Sequence, residues 1–156
     1  MKHARDFGDD PSVLPDAPDP FEARVTAALR AWERGGAGAA LPMLRARMTE
    51  AQAAAATTAL CDLAGLLCIS RRRAPAARAP ADSRLGADEA LFARLVREAA
   101  LGEREDALLL ASLLVEAPAL MAVTDAASRF GLHVHRGVLN EARGLTTARP
   151  PAKTLH

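Results

Sequence analysis

The sequence predicts an all-α protein that folds as a single-domain bundle of about six helices. Apolar residues make up 50% of the chain, whereas aromatic residues make up 3% and Tyr is missing. Ala and Leu, the strongest helix formers, supply most of the apolar content, and β-branched residues are scarce. A chain of 156 residues is long enough to bury one core. We therefore expect helices packed on helices.

The most apolar stretch of the chain, Ala107–Val123, is expected at the centre of this bundle. A membrane-spanning helix needs about 20 mostly apolar residues, and Glu116 and Pro118 would be costly inside a bilayer. The proline instead favours two helices, one over Glu103–Val115 and one that begins at Pro118 and ends at Gly131. The remaining helices are then expected to cover this apolar pair.

Capping signals and periodicity define the first helix. Asp19 is the predicted N-cap, and Pro20 occupies the first helical position, where a missing N–H costs nothing. Apolar residues then recur at helical spacing: Phe21, Val25, Ala28, Leu29 and Trp32. We expect this helix to end at Gly35-Gly36 and a short helix to follow over Leu41–Arg47.

Two more helices carry clear apolar faces. Thr49 and Gln52 form a capping-box pattern in front of a helix over Glu50–Ile69. A further helix is predicted over Ala87–Ala100. The residues expected in the core are Leu60, Leu63, Ala64 and Leu67 in the former and Leu91, Phe92, Leu95, Val96 and Ala99 in the latter.

Three segments are predicted to lie outside helices. Residues 1–18 are acidic and broken by prolines, which predicts an extended arm. Residues 70–86 hold five arginines and two prolines, and they are predicted to be an exposed linker between two helical halves of a domain over 19–145. Residues 146–156 are predicted to be a flexible tail. The net charge of +1 gives the protein no overall positive potential that would attract nucleic acid.

The cysteines and the N-terminus suggest a compartment. Cys61 and Cys68 are seven residues apart on one predicted helix, about 10.5 Å along its axis, which is too far for a disulfide. We expect both to be small core residues. The first residues lack the apolar core of a secretion signal. A cytoplasmic protein without membrane insertion is therefore expected.

Residues 119–143 resemble a helix-turn-helix, in which a small residue stands four positions before a Gly-hydrophobic turn. Here Ala127 precedes Gly131-Leu132, with a second helix after the turn. That arrangement would present side-chain types that bind bases or phosphates, and the candidate nucleic-acid contacts are Arg129, Arg136, Asn140 and Arg143. The alternative is a plain helix end at Gly131, with Leu132 packing back on the body.

The linker begins with a basic cluster, Arg71, Arg72 and Arg73, which adds candidate phosphate contacts. The simpler alternative is that these arginines complement the negative C-terminal end of the preceding helix. His133 and His135 would share one face of a strand, as metal ligands do, but no third ligand stands at a suitable spacing. We expect no metal and no cofactor.

Enzyme motifs are missing from the sequence, including phosphate-binding glycine loops, serine elbows and zinc-protease helices. The expected function is that of a small, non-enzymatic helical interaction or regulatory protein, which docks onto a protein partner or self-associates. The alternative is a DNA-binding transcriptional regulator that uses residues 119–143.

Overall fold

A computed structural model describes residues 19–72 and 86–147 of the chain. Within these ranges the protein is predominantly helical and has no strand, which confirms the predicted all-α class. The part described contains five α-helices, where about six were expected. The predicted arm over 1–18, most of the linker and the end of the predicted tail lie outside the described residues. The elements are α1 (Pro20–Arg45), α2 (Glu50–Ser70), α3 (Ala87–Leu101), α4 (Arg104–Leu114), a 3-10 turn (Ala117–Ala119) and α5 (Leu120–Thr147).

Helix α1 begins as predicted and then bends. The side chain of Asp19 accepts a hydrogen bond of 2.8 Å from the N–H of Phe21. At the predicted helix end, Gly35 and Gly36 leave helical geometry, and Gly36 has a φ of 59°, a left-handed conformation that glycine adopts without steric cost. The chain then continues as a helix to Arg45. The break at the two glycines is therefore confirmed, and a second helical segment follows it, but that segment begins directly after Gly36 instead of at Leu41 and ends at Arg45.

The predicted starts and apolar faces of α2 and α3 are confirmed. Thr49 and Gln52 form the reciprocal capping box at the start of α2. Helix α3 ends at Gly102, which adopts a left-handed φ of 84°. The predicted core residues are buried except for Leu91, which is half-buried: Leu60, Leu63, Ala64, Leu67, Phe92, Leu95, Val96 and Ala99.

Helix α5 lies at the centre of the molecule and contacts every other element. Its fully buried residues are Val123, Ala126, Ala127, Phe130 and Val134. The prediction that the helix over Glu103–Val115 is the buried centre is wrong. Its counterpart α4 lies at the edge and buries three residues, Ala107, Ala111 and Leu114, two of which are small. An apolar run alone does not distinguish a surrounded helix from a peripheral one.

The predicted turn at Gly131-Leu132 is also wrong, because α5 continues through it to Thr147. Gly131 serves another purpose. A Cβ atom at this position would lie 2.7 Å from the carbonyl oxygen of Val96 and 2.7 Å from the Cβ of Ala100. The glycine therefore allows α5 to approach α3 closely. A helix-turn-helix does not form over residues 119–143.

Helix α2 is long and apolar enough to cross a membrane, by length and composition, and no other helix in the described ranges passes that test. Core helices of water-soluble bundles pass the same test, and α2 packs against both α1 and α5.

The two cysteines of α2 are free. Cys61 is half-buried and Cys68 is exposed, so the expectation that both are core residues is wrong for Cys68.

Candidate interaction surfaces

Two of the three most exposed large apolar side chains of the described residues lie on α4. Ile69 is 82% exposed, Leu109 66% and Leu113 60%. Leu109 and Leu113 are one turn apart, so they share a face of α4, and that face lies opposite the buried Ala107 and Ala111. An amphipathic helix at the edge of a bundle normally presents polar residues at these outer positions.

The end of α2, which carries Ile69, is tied to the end of α4. The N–H of Arg72 donates to the carbonyl of Leu114, and the N–H of Glu116 donates to the carbonyl of Ser70, both at 3.1 Å. These two bonds form an isolated antiparallel bridge between Arg71 and Val115, which places Ile69 level with Ala117, beyond the C-terminal end of α4. We therefore call Leu109 and Leu113 the α4 surface.

Charged residues of opposite sign flank the α4 surface. At its N-terminal end, Glu105 is exposed one turn before Leu109, and Asp106 is exposed beside it. At its C-terminal end lie Arg71, Arg72 and Glu116, and the last two face each other at 3.8 Å. The surface is therefore acidic at one end and net basic at the other.

A shallow depression of about 270 Å³ adjoins the α4 surface near its acidic end. Its walls include Asp106, Leu109 and Leu110 from α4, together with Arg94 and Glu98 from α3. The hydroxyl of Ser112, which lies between the two exposed leucines in sequence, donates to the carbonyl of Leu109 at 2.6 Å. This hydroxyl is therefore already satisfied within its own helix.

No family model, curated protein or solved structure matches this chain. Function therefore has to be argued from the geometry and chemistry of the surfaces themselves.

The predicted nucleic-acid contacts fall on two separate parts of the molecule. Arg129, Arg136, Asn140 and Arg143 are exposed along α5, over a length of about 21 Å. Arg71 and Arg72 lie at the α2–α4 junction, where the Nε of Arg72 donates to the carbonyl of Val115 at 2.9 Å. Arg73 lies outside the described residues. The two groups therefore lie on different elements.

A groove of about 450 Å³ separates α2 from α5 on the side of these α5 arginines. Small residues of α2, including Ala55 and Ala59, line it, and Arg129, His133 and Arg136 of α5 face them. Burial, followed by the positive charge of Arg136, lowers the pKa of His133 below its ordinary value. The imidazole is therefore neutral at neutral pH, and the charged side chains that line the groove are the two arginines and Asp62 of α2.

The C-terminal half of α5 is fixed by an ion-pair cluster that the sequence analysis missed. Glu141 accepts hydrogen bonds from Arg24 on α1 and from Arg47 in the α1–α2 loop. These bonds lower the pKa of Glu141 below its ordinary value. Sequence separations of 117 and 94 residues leave no local pattern that could have revealed the pairing.

The structure separates the two histidines that were weighed as metal ligands. His133 and His135 lie two positions apart on a helix, so they point to different sides of α5. The ring of His135 packs against Phe21, with centroids 6.2 Å apart. Within the described residues, no three His, Cys, Asp or Glu side chains are grouped closely enough to hold a metal ion.

Proposed function

We propose that this protein is a small helical interaction protein that docks another protein chain through the α4 surface. The observation that supports the proposal is the exposure of two large apolar side chains, Leu109 and Leu113, one turn apart on the outer face of one peripheral helix. Contiguous apolar patches with a polar rim are typical of protein–protein contact sites.

The energetics favour a covered state of this surface. Removing apolar surface from water is worth about 25 cal/mol per Å², and complete burial of a leucine side chain is worth about 1.5–3 kcal/mol. Leu109 and Leu113 gain little of this in the isolated chain because most of their surface remains exposed. A partner that covers both leucines would recover it. The charged residues at the two ends would then form the polar rim.

Site-specific photo-crosslinking in the native host tests this proposal. A photoreactive amino acid is placed at position 109 or 113, with position 33 as the matched control because Glu33 is an exposed residue of α1. We expect a crosslinked product of discrete mass from the two α4 positions and none from the control. Equal crosslinking from all three positions, or none from α4, would contradict the proposal.

A second candidate function is phosphate contact with nucleic acid along α5. Arg129 and Arg136 are exposed at a spacing of two helical turns, and neither makes an ion pair within the described residues. Arg143 continues the same spacing. A straight basic face of this kind fits contact with a phosphate backbone, whereas base recognition by a separate second helix has lost its structural support.

Fluorescence anisotropy with a short labelled duplex tests the second candidate. Binding should weaken steeply as the salt concentration rises, since the release of counterions from the DNA supplies the affinity. The double change Arg129→Ala and Arg136→Ala should lower the slope of log affinity against log salt concentration by about two. Leu132→Ala, on the same helix, should leave the slope unchanged. Absence of binding at low salt excludes this function.

A further inference from the structure

We infer that the occupant of the α4 surface is a second copy of this chain, packed so that the two α4 helices run antiparallel about a twofold axis. The inference rests on the proposed function, to which it adds the identity of the partner. A twofold interface requires one surface that is complementary to itself. The α4 surface meets that requirement in both its charges and its apolar residues.

The charges of the α4 surface are arranged with opposite sign at opposite ends. Among the described residues, the N-terminal end carries a net charge of −2, from Glu103, Glu105 and Asp106 against Arg104, and the C-terminal end carries a net charge of +1, from Arg71 and Arg72 against Glu116. Antiparallel packing places the acidic end of each copy against the basic end of the other. Parallel packing would place like charges together, so the charges select the antiparallel arrangement.

The apolar residues of α4 suit the same arrangement. Around an axis near position 111, Leu109 of one copy lies opposite Leu113 of its partner, and the reverse pair forms by symmetry. Ser112 lies between them, and its hydroxyl is already bonded to the carbonyl of Leu109. Its burial at the interface would therefore leave no unsatisfied donor. The Leu–Leu contacts form the centre of the interface, and the charged residues form its rim.

The small size of the surface predicts a weak, concentration-dependent dimer. Stable complexes bury about 800 Å² on each partner, whereas α4 has about three turns, of which one face is free. We therefore expect monomers and dimers to exchange at micromolar concentrations. Because charge pairs contribute, dimerisation should also weaken as salt rises.

Sedimentation velocity over a range of concentrations tests this inference on the full chain. The molar mass should rise toward that of a dimer, and Leu109→Glu combined with Leu113→Glu should weaken association at least about tenfold. Leu132→Glu is the matched control because Leu132 is an exposed leucine on α5, away from the α4 surface. Circular dichroism confirms that each variant keeps its helices.

Charge reversal tests the antiparallel orientation itself. Glu105→Arg alone and Arg71→Glu alone should each weaken self-association, because each places like charges together twice in the dimer. The double variant with both changes should recover dimerisation, and so should a mixture of the two single variants, since every cross-copy contact is then attractive again. Arg72 is left unchanged because it bonds to Val115 within the chain.

The outcomes distinguish this inference from the proposed function. A chain that stays monomeric at all concentrations, or a dimer that is unaffected by the two leucine changes, would overturn the inference. If neither the double variant nor the mixture of the two single variants recovers dimerisation, the antiparallel arrangement is overturned. Crosslinks from position 109 to a different protein would overturn self-association while supporting the proposed function, and their complete absence would overturn both.

Discussion

Gly131 shows how one residue can favour two opposite structures. A glycine followed by a hydrophobic residue is typical of the turn in a helix-turn-helix, and that pattern predicted a break in the chain. The same missing side chain instead lets α5 pass within contact distance of the Val96 carbonyl on α3. Because close helix approach and tight turns both require a small residue, the type of residue alone could not distinguish them.

We predict that Gly131→Ala destabilises the protein by about 1–3 kcal/mol, despite the better helix propensity of alanine, because the added methyl group overlaps backbone as well as side chains. Gly65→Ala on α2 is the matched control, since nothing lies within 4 Å of the added atom. It should stabilise the protein by about 0.5–1 kcal/mol. Urea unfolding measures both changes, and an unaffected midpoint for Gly131→Ala would show that the two helices are not in close contact.

Glu141 predicts a specific dependence of stability on pH. Its pKa is lowered in the folded state by hydrogen bonds from Arg24 and Arg47, while in the unfolded chain it returns to about 4.3. Its contribution to folding is therefore fully present above the unfolded-state pKa and is lost as the pH falls through the lower folded value. Glu141→Gln should lower the melting temperature at pH 7.

The difference in melting temperature between the wild type and Glu141→Gln should shrink as the pH falls below about 4.3, because the protonated carboxyl resembles the amide. Glu33→Gln, an exposed position on α1, provides the matched control and should change little at any pH. A difference that stays constant from pH 7 to pH 3 would contradict the role assigned to the Glu141 carboxylate.

At the scale of elements, α4 and α5 differ in how firmly they are held. Helix α5 contacts all other elements and buries Phe130 and Val134 completely, whereas α4 buries Ala107, Ala111 and Leu114. Elements with few buried apolar contacts open more readily than the rest of the fold.

We predict that the α5 amides near Phe130 exchange with solvent only through global unfolding and that those of α4 exchange faster. Hydrogen–deuterium exchange with mass spectrometry measures this difference. Dimerisation through α4 would add a concentration dependence to its exchange and none to that of α1, which packs against α2, α3 and α5 and serves as the internal reference. Slower exchange in α4 than in α5 would contradict the arrangement described.

Local signals predicted the elements of this fold well, and nonlocal relations were not predictable. Asp19, Thr49 and the apolar stripes of α1, α2 and α3 act within a few residues, so the sequence reveals them directly. The position of α4 at the edge depends on which other helices cover it. The exposure of Leu109 and Leu113 follows from that arrangement, and no property of the run over Ala107–Val123 distinguishes their side from the buried one.

The α4 surface was not predicted for the same reason, because its exposure depends on which helices cover α4. The sequence analysis placed the functional residues at arginines, because charged side chains are recognisable by type, and it placed the leucines of α4 in the core. The structure reverses the status of two of those leucines by exposing them. Surface function that rests on apolar residues becomes visible only when burial is known residue by residue.

At the scale of the whole molecule, the two candidate surfaces occupy different elements. The α4 surface combines exposed apolar residues with a rim of mixed charge, whereas the outer face of α5 carries Arg129, Arg136 and Arg143. We propose the first for contact with another protein and the second for contact with phosphate. Variants on one surface should therefore leave binding at the other unchanged, since the altered residues share no contacts.

Photo-crosslinking from position 109 tests most directly whether the edge of this bundle is a docking surface. The account predicts a discrete crosslinked species from position 109 and none from position 33, with loss of the species when Leu113→Glu is added to the same chain. Equal crosslinking from both positions, or a chain that gives no product from position 109, would contradict it.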